Sequence, residues 1–153
     1  MEIRAGDFDD PQVQELLRLH VEGMHASSPH GTCHVLELSG LKVSSVSFVS
    51  AWEGTALYAI GAIKEIAPRV GEIKSMRTAP QHLRKGAGEF VLLHLLALAR
   101  SRGYAHVSLE TGTSEEFEAA LGLYRRHGFV KGEVFADYEE TPHNQFFHLN
   151  LEA

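Results

Sequence analysis

The chain has 153 residues, of which 44% are hydrophobic, and its formal net charge is −6. That is enough apolar residue for one core, and the acidic balance lacks the basic footprint that nucleic-acid binding asks for. A single cysteine, Cys33, leaves no intrachain disulfide, and the opening MEIRAGDFDD has no apolar stretch of the signal-peptide kind, so a cytoplasmic protein is expected.

In chain order, Glu2-Ile3-Arg4 reads as a short first strand. Asp9-Asp10-Pro11 then starts a helix, with an acidic cap and proline in the first turn. Val13, Leu16, Leu17, His20, Val21 and Met24 line one face of it at helical spacing. Ser27 to Cys33 reads as loop, and Val35 to Leu41 as a short helix. His25, His30, Cys33 and His34 gather around this loop, but their spacing fits no closed metal pattern, so no metal is expected. Ser45 to Trp52 and Ala56 to Ile66 form an antiparallel hairpin about Glu53-Gly54, and Pro68 and Gly71 separate it from the next strand.

That strand, Glu72 to Thr78, alternates. Ile73, Ser75 and Arg77 lie on one face, and Glu72, Lys74, Met76 and Thr78 on the other. Pro80 ends it. Phe90 to Ala99 is an apolar helix closed by Gly103, interrupted by His94 and far shorter than the ~20 residues of a membrane span. Between strand and helix stands Arg84-Lys85-Gly86-Ala87-Gly88. Glycines there free backbone N–H groups to face an anion, and the helix N-terminus and two cations add positive charge. The Rossmann fingerprint fails because Val91 stands at its third glycine, and the Walker loop fails because Glu89 follows Gly88.

Ala105 to Glu110 is a strand that follows a crossover helix, hence parallel to Glu72–Thr78. Thr111 to Ser114 is a turn capping a helix that runs to Arg126. Phe129 to Ala136 and Gln145 to Leu151 are the last strands. The whole of 1–153 reads as one α+β domain.

The glycine loop and the run Leu123-Tyr124-Arg125-Arg126-His127-Gly128-Phe129 resemble, in order and placement, the [QR]-x-x-G-x-[GA] and L-Y-x-x-x-G-F motifs of the GNAT (GCN5-related) N-acetyltransferase superfamily. EIKSMRT, HLRKG, LETG and FADY look like a narrower bacterial group within it. Two positions depart from the pattern. Leu83 replaces the Gln/Arg of the loop, and Phe117 stands where the family often has an asparagine that touches pantetheine or substrate.

The resemblance implies the acyl-CoA N-acyltransferase fold: a mixed, mostly antiparallel sheet with helices on both faces and a splayed parallel central pair. It also implies acetyl-CoA as donor. Its pantetheine would lie along Met76, Arg77 and Thr78, and its pyrophosphate on Arg84, Lys85, Gly86, Ala87 and Gly88. Tyr124 would protonate the departing thiolate. The chemistry then needs a base for the amine proton. Glu72 is the first candidate, with Glu65, Glu110 or relayed water behind it; its bland alternative is a surface pair with Lys74. Arg77, facing away from Glu72, suits a cofactor phosphate or a substrate carboxylate. Phe135 to Tyr138 can shape the acceptor pocket. The expected activity is N-acetylation of a small-molecule primary amine by direct attack on the thioester. The alternatives are a protein or peptide acceptor, or a non-catalytic acyl-CoA-binding module. A homodimer is expected from how commonly such chains pair.

Overall fold

The computed structural model describes residues 1–27, 38–42 and 44–152. Seven strands form one sheet in the order β1-β2-β3-β4-β5-β7-β6. These are β1 (Glu2–Ala5), β2 (Val46–Glu53), β3 (Ala56–Ala67), β4 (Val70–Thr78), β5 (His106–Gly112), β6 (Val130–Gly132) and β7 (Asn144–Asn150). Among the neighbouring strands described, only β4 and β5 pair parallel, and the helix α3 (Ala87–Ser101) makes the crossover between them.

Each face of the sheet carries a core. On one, Val91, Leu92, Leu95, Leu96 and Ala99 of α3 pack with Leu121 and Tyr124 of α4 (Glu118–Arg126) over Val49, Ile63, Ile73, Val107 and Phe147. On the other, Val13, Leu16 and Leu17 of α1 (Pro11–Ser27) and Leu41 of α2 (Leu38–Leu41) cover Phe48, Trp52, Ile60 and Ala62. This is the three-layer α+β architecture expected. α1 starts as predicted: Asp10 Oδ1 accepts from the Gln12 and Val13 amides at 2.8 and 3.4 Å. Burying each large aliphatic side chain contributes roughly 1.5–3 kcal/mol, so both layers are fastened independently of any ligand.

Four boundaries differ from expectation. Pro68 and Arg69 alone make the β3–β4 turn, with Arg69 at φ 63°. Gly71 is not part of it. It lies inside β4, paired with Glu65 and Val107, and a Cβ there would stand 2.8 Å from the Tyr104 ring. β5 runs on through Thr111 and Gly112, which pair with Gln145 and Asn144 of β7. A 3-10 turn at Glu115–Phe117 precedes α4, and Ser114 makes no side-chain cap. β6 stops at Gly132, because Phe135 and Tyr138 fold back against Phe146 at 5.7 and 5.9 Å between ring centres. The residues His30, Cys33 and His34, the side chain of His25 and the first three residues of the expected Val35–Leu41 helix lie outside the described residues, and the remaining four form α2.

Candidate active site

The chain between β4 and α3 is built around two left-handed residues, Arg84 at φ 64° and Gly86 at φ 80°. Gly86 is the N-cap of α3 and supplies no side chain, so no side chain satisfies the helix end. The first helical bond runs from Phe90 N–H to Gly86 O, which leaves the preceding amides aimed outward from a positive helix end. Ala87 is buried, while Arg84, Lys85 and Gly86 are exposed. A Cβ on Gly88 would stand 3.3 Å from Thr78 Oγ1, so the loop lies close on the end of β4. This cradle of unpaired amides between two cations fits a pyrophosphate.

β4 and β5 pair only through Val70–His106, Gly71–Val107 and Glu72–Ser108. Beyond these pairs β4 continues to Thr78 and β5 to Gly112, and they part. β4 also carries a bulge. Ile60 and Ala62 of β3 pair with Arg77 and Lys74, so Ser75 and Met76 together oppose Gly61. Ser75 sits at φ 58°, and its Oγ is buried without a hydrogen-bond partner among the described residues. An orphaned polar atom and unpaired backbone beside the gap are what a chain of amides such as pantetheine would satisfy.

The bulge overturns the simple alternation read from the sequence. Met76 turns to the α3 face, where a Cβ on Gly61 would meet its sulfur at 2.7 Å. Arg77 turns to the α1 face, joining Glu72 and Lys74 instead of opposing them. There its Nε donates to His20 Nδ1 at 3.1 Å and Nη2 to the His20 carbonyl at 3.5 Å. Burial, and then the Arg77 charge, push the His20 pKa down to about 3, so the ring is neutral. Burial also holds the Arg77 guanidinium below its ordinary value.

On this same face Glu72 and Lys74 are paired at 3.0 Å, but not at the surface: their side chains are only 5% and 10% exposed. The Tyr138 hydroxyl donates to Glu72 and lies 2.5 Å from Lys74 Nζ. Burial first, and then the Glu72 charge, raise the Tyr138 pKa, so the phenol stays protonated. Glu72, Lys74 and Tyr138 line a cleft of about 340 Å³ with Lys64, Glu65 and Asp137. Glu110 lies two residues beyond the last β4–β5 pair. Its Oε2 accepts from Asn144 Nδ2 at 3.2 Å. Burial raises its pKa to about 7; Glu72 adds to the rise, while Asn144 and Lys74 oppose it. Glu65 is exposed at the strand end opposite Gly71.

Tyr124 is buried in the α3–α4 core with its ring edge-on to Phe129, 5.7 Å away. Its hydroxyl has no hydrogen-bond partner among the described residues, and burial pushes its pKa up to about 12. Phe117 packs over the backbone of Gly112, where a Cβ would stand 2.1 Å from the Phe117 ring. It offers an apolar wall, not the polar contact of an asparagine.

The family model described as Acetyltransferase (GNAT) family matches residues 2–129. The chain belongs to this family. It is an acyltransferase, with acetyl-CoA as the donor. It is 44% identical over 149 residues, 97% of this chain and 94% of its relative, to the uncharacterized N-acetyltransferase YedL of Escherichia coli K12. It is 45% identical over 151 residues, 99% and 100% of the two chains, to the uncharacterized N-acetyltransferase YsnE of Bacillus subtilis. A Klebsiella pneumoniae protein described as a candidate acyl-CoA N-acyltransferase superposes with a TM-score of 0.81 at 27% identity, over 98% of this chain and 97% of that one. A Bacillus subtilis acetyltransferase solved with CoA superposes at 0.72, with 18% identity and 98% of each chain covered.

In this GNAT acetyltransferase the predicted site residues fall into two groups. Met76, Thr78, Arg84 to Gly88, Phe117 and Tyr124 lie on or beside the α3–α4 face, and Glu72, Arg77 and Glu110 on the α1 face. The β4–β5 gap is where the two faces meet. His20 and Asn144, which hold Arg77 and Glu110, carry no motif. A core-facing histidine at helical spacing was the only signal for His20. Among the described residues no helix is long and apolar enough to cross a membrane.

Proposed function

We propose that the enzyme acetylates the primary amine of a small molecule, which attacks the thioester directly across the β4–β5 gap. Bound acetyl-CoA supplies an activated acetyl group. What supports this reading is that the glycine loop and Tyr124 lie on the α3–α4 side of the sheet, and the buried Glu72 and half-buried Glu110 on the other. Arg84 to Gly88 hold the pyrophosphate, and the edge of β4 at Met76, Arg77 and Thr78 pairs with the pantetheine. Phe117 closes the site to water. The amine proton passes to the acidic pair of Glu72 and Glu110. Glu110 is the member that takes it, since Glu72 Oε2 is already engaged by Lys74 and Tyr138. The Tyr124 hydroxyl donates to the departing sulfur. The reading keeps the cytoplasmic location and the homodimer.

The test is thiol release over a panel of amines, amino acids and peptides, followed by the pH dependence of the rate. A base must be deprotonated, so activity should fall as pH drops through about 7, the pKa of Glu110. Glu110→Gln should erase that limb and lower the turnover number by about 10²–10⁴. Glu72→Gln should slow the enzyme but keep the limb. The opposite pairing of results would make Glu72 the acceptor of the proton.

A further inference from the structure

We infer that Arg77 is the anchor for a carboxylate on the acceptor, so that the acceptor is an amino-acid-like amine and not a simple one. The inference rests on the transfer reaction proposed above and adds the substrate class.

The argument starts from the bulge. Without it Arg77 would point to the α3 face, toward the side of the phosphate cradle. With it, the guanidinium lies on the α1 face, in the row that holds Glu72 and Lys74, with the sheet between it and α3. It therefore faces the side of the gap assigned to the acceptor. Arg77 and Lys74 oppose Ile60 and Ala62, two residues apart on β3, so they are roughly 7 Å apart along the strand.

The state of the guanidinium is the second observation. It is half-buried, and no carboxylate among the described residues pairs with it. Its partner, His20, is a neutral acceptor and compensates no charge. Arginine carries five N–H donors. One from Nε and one from Nη2 go to His20, and the other three have no acceptor among the described residues. A partly desolvated cation with three donors unsatisfied among the described residues is shaped for a carboxylate, which it can take in bidentate fashion.

The third observation is on the helix that holds it. Gly23 lies within α1, where glycine costs about 1 kcal/mol relative to alanine. A Cβ there would stand 2.9 Å from Arg77 Nη2. The glycine makes room for the guanidinium in this position. Alanine would be accommodated by moving the flexible end of Arg77 by a few tenths of an ångström, with no clash against backbone.

The experiment compares the amino acids, each against its own α-amide, as acceptors for the wild type, Arg77→Gln and Gly23→Ala. The wild type should prefer the acid by about ten- to hundredfold in kcat/KM, the range expected of a charge-assisted contact. Arg77→Gln should collapse that preference, chiefly by raising KM for the acid. Gly23→Ala should raise the same KM several-fold while its melting temperature holds or rises. A merely structural Arg77 predicts a Gly23→Ala protein with unaltered kinetics. Equal use of acid and amide by the wild type would overturn the inference and leave the N-acetyl transfer standing, as would an equal loss on both in Arg77→Gln. If no amine is acetylated, the proposed function fails instead. The anchor is then read by calorimetric titration of the coenzyme A-loaded protein with N-acetyl amino acids and their amides. Tighter binding of the acids that is lost in Arg77→Gln upholds it, and no difference overturns it.

Discussion

Burial sets the chemistry open to Tyr124 in the proposed reaction. Its hydroxyl has no partner among the described residues, and its pKa is pushed up to about 12, while an ordinary thiol titrates near ~8.5. Full transfer of the phenolic proton to a thiolate is therefore uphill, and in the proposed reaction Tyr124 would act by sharing it. Such a bond matters only once the sulfur carries charge. Tyr124→Phe should lower turnover by about 10²–10⁴ with coenzyme A affinity almost unaltered. Single-turnover kinetics beside a binding isotherm check this. Unchanged chemistry in a folded Tyr124→Phe protein would reduce the residue to packing against Phe129.

At the scale of elements, the loop into α3 would hold the proposed pyrophosphate through backbone conformation, so its sequence signature is glycine and not a reactive group. Gly86 at φ 80° has open space where a Cβ would go. Substitution is resisted by the backbone angle, not by crowding. Gly86→Glu adds that strain and places a carboxylate in the proposed phosphate site. The wild type should gain thermal stability from coenzyme A by mass action, about 2.7 kcal/mol at one hundred times Kd. Gly86→Glu should gain nothing. A calorimetric scan with millimolar coenzyme A separates the two, and an unmoved wild-type transition would remove the loop from the binding site. The absence of Gln or Arg at Leu83 is consistent with a cradle made of main chain: Leu83 is 57% exposed, and its loss of a polar group leaves the amides in place.

For the whole molecule, two buried titrations pull folding stability in opposite directions with pH. His20 has a folded pKa of about 3 against an ordinary 6.5. The unfolded chain binds that proton first, so stability is present above 6.5 and drains away as pH falls toward 3. Glu110 has a folded pKa of about 7 against 4.5. Its contribution is present below 4.5 and is lost as pH rises through 7. His20→Gln keeps an acceptor for Arg77 Nε but cannot titrate. It should flatten the acid side of a melting temperature–pH curve, whereas Glu110→Gln should raise the alkaline side. A wild-type curve flat between pH 3 and 6.5 would contradict a neutral buried His20.

The sequence by itself determined the element types and the α+β class, and it singled out the glycine loop and Tyr124, because those signals are local: period, cap, glycine, motif. Asp10 capping α1 and the apolar stripe of α3 are visible within a few residues of themselves. The faces of β4 were decided only by tertiary structure. Alternation set Arg77 against Glu72, but the bulge at Ser75–Met76 arises from pairing with β3, which no period in β4 encodes. The same holds for the burial of Glu72 and Lys74, which looked like a surface pair until Tyr138 came back from the loop between β6 and β7 to cover them. Charge state follows burial, and burial belongs to elements distant in the chain. That is why Glu72, Arg77 and Glu110 could be named from the sequence, while their grouping on one face, and the raised pKa of Glu110, required the folded sheet.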